Sequence, residues 1–287
     1  MTSDLDPECR RDLLDRIERY YDAVPRSSAR AEDFGPLTLF VQEGAGWPYY
    51  ARPTVKAAAG ATADDVARVR ARQRELGVPE AFEWVDETTP GLRAAVEGAG
   101  LVVHAHPLMA LDLDAPAEAA EPPRADGVVV RLLDADDPAL LGAVTVPHLA
   151  FADPGTQVGA AGAPELADLM RQHAGDGSAD RVAGRMTAGL TRLAAALEND
   201  TVLCAGQHQP VGSVSEVVGV GTLPAARRRG LGLAVTSALV ADARERGVRT
   251  VFLSAGDEDV ARIYARLGFR RVGTALIAEA ESGPDGE

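Results

Sequence analysis

The chain has 287 residues and a formal net charge of −14, and 46% of its residues are hydrophobic. This length corresponds to about two average domains, and the hydrophobic content is enough to fill their cores. The acidic excess argues against a nucleic-acid partner, because binding to phosphates requires a basic face. It is compatible with attraction of a cationic amine.

Targeting segments and metal sites are not indicated by the residue pattern. The first eleven residues are polar and predict no secretory signal. No run of about 18 apolar residues predicts a membrane span. Cys9 and Cys204 are far apart and belong to no CxxC pair or His/Cys cluster. We therefore expect two free thiols, no metal and a cytoplasmic location.

Two stretches of the N-terminal half recur in the C-terminal half. Residues 74–82 align without a gap to residues 244–252, and five of the nine positions are identical. Residues 92–101 align with a later helix after a two-residue shift, so that Gly100 matches Gly268. The N-terminal half is therefore predicted to be a second copy of one βαβ-containing fold. The alternative is chance similarity between two amphipathic helices.

Residues 114–126 are rich in Ala, Pro and charge and have no apolar face, which is typical of a linker. We therefore expect one domain over residues 1–113 and a second over residues 127–287. The second domain should begin with a strand at residues 127–133. Further helices and strands are predicted after it, with helices around 138–144 and 164–173 and strands around 189–196 and 201–208.

A strand that begins at Glu216 runs through a turn at Pro224 into an Arg- and Gly-rich loop, which opens a helix. Apolar side chains are spaced along one face of this helix: Leu231, Ala234, Val235, Ala238 and Leu239. The helix start offers backbone N–H groups without an intrahelical partner and the positive end of the helix dipole. Gly230 and Gly232 carry no Cβ, so a polyanion can reach these donors. Positive charge surrounds the same point: Arg227, Arg228 and Arg229. The pattern predicts a pyrophosphate-binding site, with a solvated helix start as the alternative.

Helices and strands continue to alternate after this loop. Gly247 ends the first helix, and residues 248–254 form an apolar, β-branched strand. A second helix begins after Gly256 and ends at Gly268, and a strand over residues 269–278 follows. One side of the second helix is apolar: Val260, Ile263, Tyr264 and Leu267.

These two motifs together resemble the GNAT-type N-acetyltransferases. The first is Arg227-x-x-Gly230-x-Gly232 after a strand, and the second is Tyr264-Ala-Arg-Leu-Gly-Phe269. The resemblance covers roughly residues 127–280. It implies an α/β (α+β) fold of two GNAT-like domains, each a mixed, mostly antiparallel central sheet flanked by helices. In the C-terminal domain the central strands should splay apart for acetyl-CoA.

Two positions depart from the family pattern. Val260, with Ala261 beside it, takes the place of a small residue on the second helix. Asp257 takes the place of an Asn that bonds the pantetheine arm in the family. An Asp cannot donate an amide N–H, and Asp257 is equally well explained as the N-cap of the helix.

The resemblance also implies roles for individual residues. Contacts to acetyl-CoA, the co-substrate, are expected from the central strand, the loop and the second helix: Val220, Gly221, Thr222, Arg227, Arg228, Arg229, Gly230, Leu231, Gly232, Leu233 and Asp257. Glu216 stands where relatives carry a general base, and Tyr264 stands where the family protonates the CoA thiolate. If strand alternation holds, Glu216 shares one face with Val218, Val220 and Thr222. His148, in the expected substrate loop, and His208 are reserve candidates for the substrate or the catalytic step.

The N-terminal copy lacks these features. Val96 takes the position of the tyrosine, and residues 51–60 contain no Arg-x-x-Gly-x-Gly loop. We therefore expect one catalytic domain that moves an acetyl group directly to a primary amine of a small molecule or peptide. The alternatives are a CoA-binding regulatory protein without turnover, and an enzyme that uses another acyl-CoA or another reaction. The sequence is compatible with a monomer or a homodimer, and with neither a nucleic-acid nor a membrane partner.

Overall fold

The computed structural model describes residues 6–43, 48–55, 57, 60–114 and 125–280. The helices within these residues are Pro7–Ala23 (α1), Ala63–Leu76 (α2), Leu92–Gly98 (α3), Leu140–Ala152 (α4), Ala163–His173 (α5), Ser178–Thr187 (α6), Leu231–Glu245 (α7) and Glu258–Ala265 (α8). The strands are Ala29–Asp33 (β1), Leu37–Gln42 (β2), Ala51–Pro53 (β3), Ala81–Val85 (β4), Val102–Asp112 (β5), Val129–Leu132 (β6), Arg192–Glu198 (β7), Thr201–Val211 (β8), Val214–Thr222 (β9), Thr250–Ser254 (β10) and Arg270–Glu279 (β11). None of the described helices has the length and apolar run that a membrane crossing requires.

The chain divides into two compact units. The first contains the residues up to Leu108 together with those from Arg271 onward, and the second contains Met109–Arg270. Strand β5 is therefore divided between the units, and the last strand belongs to the first unit. The sequence predicted domains over 1–113 and 127–287, and most of the predicted linker, residues 115–124, lies outside the described residues.

In the second unit the strands lie in the order β6-β7-β8-β9-β10. The pairs β6–β7, β7–β8 and β8–β9 are antiparallel, whereas β10 runs parallel to β9. The turn between β7 and β8 uses Asn199 and Asp200, whose φ angles of 47° and 63° suit a two-residue hairpin. Side chains of the sheet and of α4, α7 and α8 form one buried apolar cluster.

The first unit has a similar arrangement, also of five strands. Its order is β1-β2-β3-β4-β11, in which only β3 and β4 are parallel. The parallel pair aligns Ala51 with Phe82, and the matching pair of the second unit aligns Glu216 with Phe252. The two phenylalanines are the positions that the sequence alignment equates. The prediction of two copies of one mixed, mostly antiparallel α/β fold is confirmed.

The structure differs from the sequence prediction in two helices of the second unit. The predicted helix at 138–144 is α4, which continues through Pro147 to Ala152. A proline inside a helix removes one backbone hydrogen bond, but Val146 and Ala150 on the same helix are buried in the core and hold it in place. Helix α6 was not predicted.

Candidate functional site

The centre of the site is a β-bulge in β9. Cys204 and Ala205 pair with Thr222 and Gly221, but the register shifts by one residue before Gln207, which pairs with Val218. Two residues of β9, Gly219 and Val220, therefore lie opposite Gly206 of β8. Gly219 has a φ of 64°, the left-handed conformation that this kind of bulge places on a glycine.

Gly206 and Gly221 fit tightly around the bulge. A Cβ on Gly206 would lie 2.8 Å from Cγ2 of Val220, and a Cβ on Gly221 would lie 2.8 Å from Cα of Pro147 in α4. Sequence analysis did not single out Gly206 and Gly219. The signal was present in the alternation of valine and glycine over residues 217–221, because a glycine inside a strand often marks a bulge.

Beyond the bulge, β9 separates from β10. The parallel register covers Val214–Glu216 opposite Thr250–Phe252 and does not continue toward Thr222. On the other edge, the N–H of Leu223 donates to the carbonyl of Leu203 at 2.8 Å. Since N–H groups alternate between the edges of a strand, the N–H of Thr222 faces the side from which β10 has departed.

The bulge overturns one expectation about side-chain faces. Paired residues share a face of the sheet, so Glu216, Val218 and Gly221 lie on the face of Gln209, Gln207 and Ala205. Thr222 lies on the opposite face, where its Oγ1 donates to Sγ of Cys204 at 3.2 Å. The prediction that Glu216 and Thr222 share one face is therefore wrong, because the extra residue at the bulge reverses the alternation.

The start of α7 lies against this part of β9. Its N-cap is Gly230, with φ 78°, and no side chain caps the helix. A Cβ on Gly232 would lie 3.7 Å from Oγ1 of Thr222 and 3.9 Å from Cγ1 of Val220. The N–H groups of the first turn therefore have no side-chain cap beside the bulge, and the predicted binding of an anion to them stays a prediction. Leu231 and Leu233 bury their side chains in the core, so only their backbone is available.

The three arginines of the loop have different surroundings. Arg228 is exposed with a φ of 66°, and no described residue forms an ion pair with it. Arg229 is half-buried and donates to Glu198 at 2.6 Å. Arg227 donates to the backbone carbonyls of Ala150, Asp153 and Gln157. Arg227 is thus held by backbone carbonyls and Arg229 by a carboxylate, and a phosphate contact of any of the three stays a prediction.

Tyr264 lies on α8 within the same core and is 8% exposed. Its ring packs against Phe269, with centroids 6.0 Å apart. Burial raises the pKa of the Tyr264 phenol above its ordinary value, and the nearby Cys204 thiol adds to this. No described residue forms a hydrogen bond with the hydroxyl, and its role as an acid stays a prediction. Burial likewise raises the pKa of Cys204 to about 12.

Asp257 is the N-cap of α8. Its Oδ1 accepts the N–H of Val260 at 2.8 Å, which is one of the two roles that the sequence allowed. A contact with the pantetheine arm stays a prediction.

His208 is fully buried between β8, β9 and α7. Its Nδ1 lies 2.8 Å from Oγ of Ser215, and its Nε2 lies 2.8 Å from Oδ2 of Asp242. Burial acts to raise the pKa of the Asp242 carboxyl, but hydrogen bonds from Arg246 and His208 outweigh it and hold that pKa below its ordinary value. The carboxylate accepts from Nε2–H, and Nδ1 accepts from Ser215. His208 as a substrate contact is therefore wrong, because both ring nitrogens are used inside the core.

His148 lies on α4 rather than in a loop, because the helix continues through Pro147. It is exposed, and its ring meets that of His173 edge to face, with centroids 5.0 Å apart. Burial and the nearby His173 lower the pKa of His148, while Asp176 opposes them. Its role as a substrate contact stays a prediction. Among the described residues, no group of three or more His, Cys, Asp or Glu could hold a metal ion.

Comparison with known proteins agrees with this architecture. Residues 197–277, which contain β8 to α8 and most of β11, match the family model described as FR47-like protein. No curated protein matches the chain at a significant level.

Several solved structures resemble the chain over most of its length. One is a GCN5-related N-acetyltransferase from Kribbella flavida, with a TM-score of 0.69 at 20% identity over 94% of this chain and 96% of that one. A tandem GNAT protein from the clavulanic acid biosynthesis pathway has a TM-score of 0.56 at 17% identity, over 87% of this chain and 79% of that one. A GCN5-related N-acetyltransferase-like protein from Streptococcus suis has a TM-score of 0.52 at 12% identity, over 94% and 99%. At these identities the likeness establishes a shared fold.

Proposed function

We propose that this chain, whose fold is that of the GNAT superfamily in its tandem form, is an acetyl-CoA-dependent N-acetyltransferase acting on a primary amine. One observation carries the proposal: the uncapped start of α7 lies beside the bulge of β9, where Thr222 turns its N–H away from β8. An anion-binding helix start next to strand N–H groups without a strand partner suits a ligand with a pyrophosphate and a carbonyl.

The residues of the second unit then have distinct roles. The first-turn N–H groups of α7, with Arg228 and Arg229, hold the pyrophosphate. When bound, acetyl-CoA supplies an acetyl group activated as a thioester. The N–H groups of Val220 and Thr222 polarise its carbonyl.

Two side chains then carry the proton transfers. Glu216, on the α4 face, removes the proton of the amine directly or through water. Tyr264, whose phenol is protonated at neutral pH, donates a proton to the departing thiolate. No covalent intermediate on the protein is required.

The first unit has none of these groups in the matching places. Ala51 stands where the second unit has Glu216, and the buried Val96 takes the place of Tyr264. The start of α2 carries a capping box instead, in which Thr62 accepts the N–H of Asp65 and Asp65 accepts the N–H of Thr62. We therefore expect one acetyl-CoA per chain.

Calorimetric titration with acetyl-CoA tests the binding part of the proposal. We expect a single site that is lost in Gly232→Trp, because the indole fills the space in front of the N–H groups. Gly184→Trp is the matched control, since Gly184 is exposed on α6 with nothing within 4 Å of its Cβ position. Two equal sites per chain would contradict the assignment of the site to the second unit.

The reaction is tested by release of free thiol from acetyl-CoA across a panel of small amines, polyamines, amino acids and peptides. We expect release that depends on one class of amine, with the N-acetyl product identified by mass. Tight binding of CoA without amine-dependent release would favour a regulatory protein. Release from another acyl-CoA alone would indicate a different acyl donor. The acidic, cysteine-poor composition is compatible with a cytoplasmic enzyme, as a monomer or a homodimer.

A further inference from the structure

Arg227 is enclosed by the loop that follows α4. Its Nη1 donates to the carbonyl of Gln157 at 3.1 Å, and its Nη2 donates to the carbonyls of Ala150, at 3.0 Å, and Asp153. The carboxylate of Asp153 lies 3.8 Å from Nη1. Only 8% of the arginine side chain is exposed. The guanidinium cannot turn toward a phosphate without leaving these carbonyls and its own buried N–H groups unsatisfied.

Backbone contacts join the same two segments. The N–H of Gly159 donates to the carbonyl of Pro224 at 3.0 Å, and the N–H of Ala225 donates to the carbonyl of Ala161 at 2.9 Å. A Cβ on Gly159 would lie 2.8 Å from Cβ of Pro224, so the contact requires a glycine. Residues 153–162, which we call the latched loop, are thus held against the turn that leads into the phosphate-binding loop.

The latched loop begins on the face of the sheet that carries Glu216. Helix α4, which leads directly into it, packs on β9 at Gly221, with Pro147 Cα and Ala150 Cβ 2.8 and 2.9 Å from the Cβ position of that glycine. Gly221 and Glu216 share that face of the sheet. The loop therefore begins on the same face of the sheet as the proposed base, at the Pro224 end of β9, and Arg227 holds it there.

We propose that Arg227 is a positioning residue for the acceptor amine: it fixes the latched loop on the Glu216 face of β9, at the Pro224 end of the strand, and does not bind the phosphates. This inference rests on the proposed function. It separates two roles within one motif: Arg228 and Arg229 would serve the phosphates, and Arg227 orders the loop that would receive the amine.

Hydrogen exchange of the full-length protein, measured by mass spectrometry with and without CoA, tests the inference before any acceptor is known. In Arg227→Gln we expect amide exchange within residues 153–162 to rise by about tenfold or more, because local opening becomes easier. Exchange in α7 and β10 should stay within about twofold, and the Kd for CoA within about threefold. Arg228→Gln is the matched control, with weaker CoA binding and unchanged exchange in the loop.

Gly159→Ala disturbs the same contact from the loop side, because its Cβ would press on the Asp153 carboxylate and lie 2.8 Å from Cβ of Pro224. We expect it to raise exchange in the latched loop, whereas Gly184→Ala, whose Cβ meets nothing within 4 Å, should not. Arg227→Lys should give an intermediate exchange rate, because an ammonium can still donate to the loop carbonyls. Loss of CoA affinity in Arg227→Gln with normal exchange in the loop would overturn the inference, as would a uniform rise in exchange across the second unit.

An acceptor from the thiol-release panel gives the kinetic test. Arg227→Gln should raise its KM by about tenfold or more at saturating acetyl-CoA, with a smaller change in kcat. An unchanged acceptor KM would overturn the inference. If the parent protein releases no thiol with any amine, the proposed function has failed, and the exchange experiment still decides whether Arg227 orders the loop.

Discussion

Gly221→Ala tests the packing of α4 on the bulge of β9. The added methyl would lie 2.8 Å from Pro147 Cα and 2.9 Å from Ala150 Cβ. Carbon atoms in contact prefer separations of about 3.5–4.0 Å, so the helix must retreat by roughly 0.7 Å. One of the two opposing atoms belongs to the backbone, which leaves no rotamer to relieve the contact. Overpacking of this kind costs about 1–3 kcal/mol.

Scanning calorimetry measures the effect as a shift in Tm. For a unit of this size, about 1 kcal/mol lowers Tm by roughly 2–4 °C, so we expect a decrease of about 2–12 °C. Gly184→Ala is the control, because its Cβ position has no neighbour within 4 Å and Gly184 lies in helix α6. An alanine there should leave Tm unchanged or raise it. A Gly221→Ala protein as stable as the control would refute the packing argument.

Three further predictions address buried and reactive groups. Asp242→Ala should lower the free energy of unfolding in denaturant by about 2–4 kcal/mol, because His208 loses the carboxylate that accepts from it; an unchanged midpoint would show that this contact contributes nothing. Burial raises the pKa of Glu83 to about 7, with Arg52 opposing it and a nearby carboxylate adding to it. The unfolded chain then releases this proton at lower pH than the folded chain, so the free energy of unfolding falls as the pH rises from about 4.5 to 7. Glu83→Gln should abolish this dependence and raise the free energy of unfolding by about 1–3 kcal/mol at pH 8 but leave it unchanged at pH 4. Identical pH profiles of the two proteins would contradict the prediction. Tyr264→Phe should bind acetyl-CoA normally but turn over about 10²-fold or more slowly in the thiol-release assay, and an unchanged kcat would remove the tyrosine from the reaction.

Features that depend on residues close together along the chain could be predicted from the sequence. Helix ends at Gly77 and Gly247 follow from glycines, which adopt φ angles of 65° and 76° without steric cost. The phosphate-binding start of α7 follows from glycines and an apolar face within a dozen residues. The repeat is visible because two copies of one fold share the same local pattern, as Phe82 and Phe252 do.

Only the tertiary structure shows in which direction the side chains of the predicted site residues point. A strand pattern gives two alternating faces, but the extra residue at Gly219 exchanges them, so Thr222 lies opposite Glu216. Arg227 and Arg228 are adjacent arginines of the same loop, yet of these two only Arg227 donates to carbonyls about 70 residues away along the chain. The last strand belongs to the unit of the first 108 residues. These outcomes depend on pairing and packing between distant segments, which local periodicity does not encode.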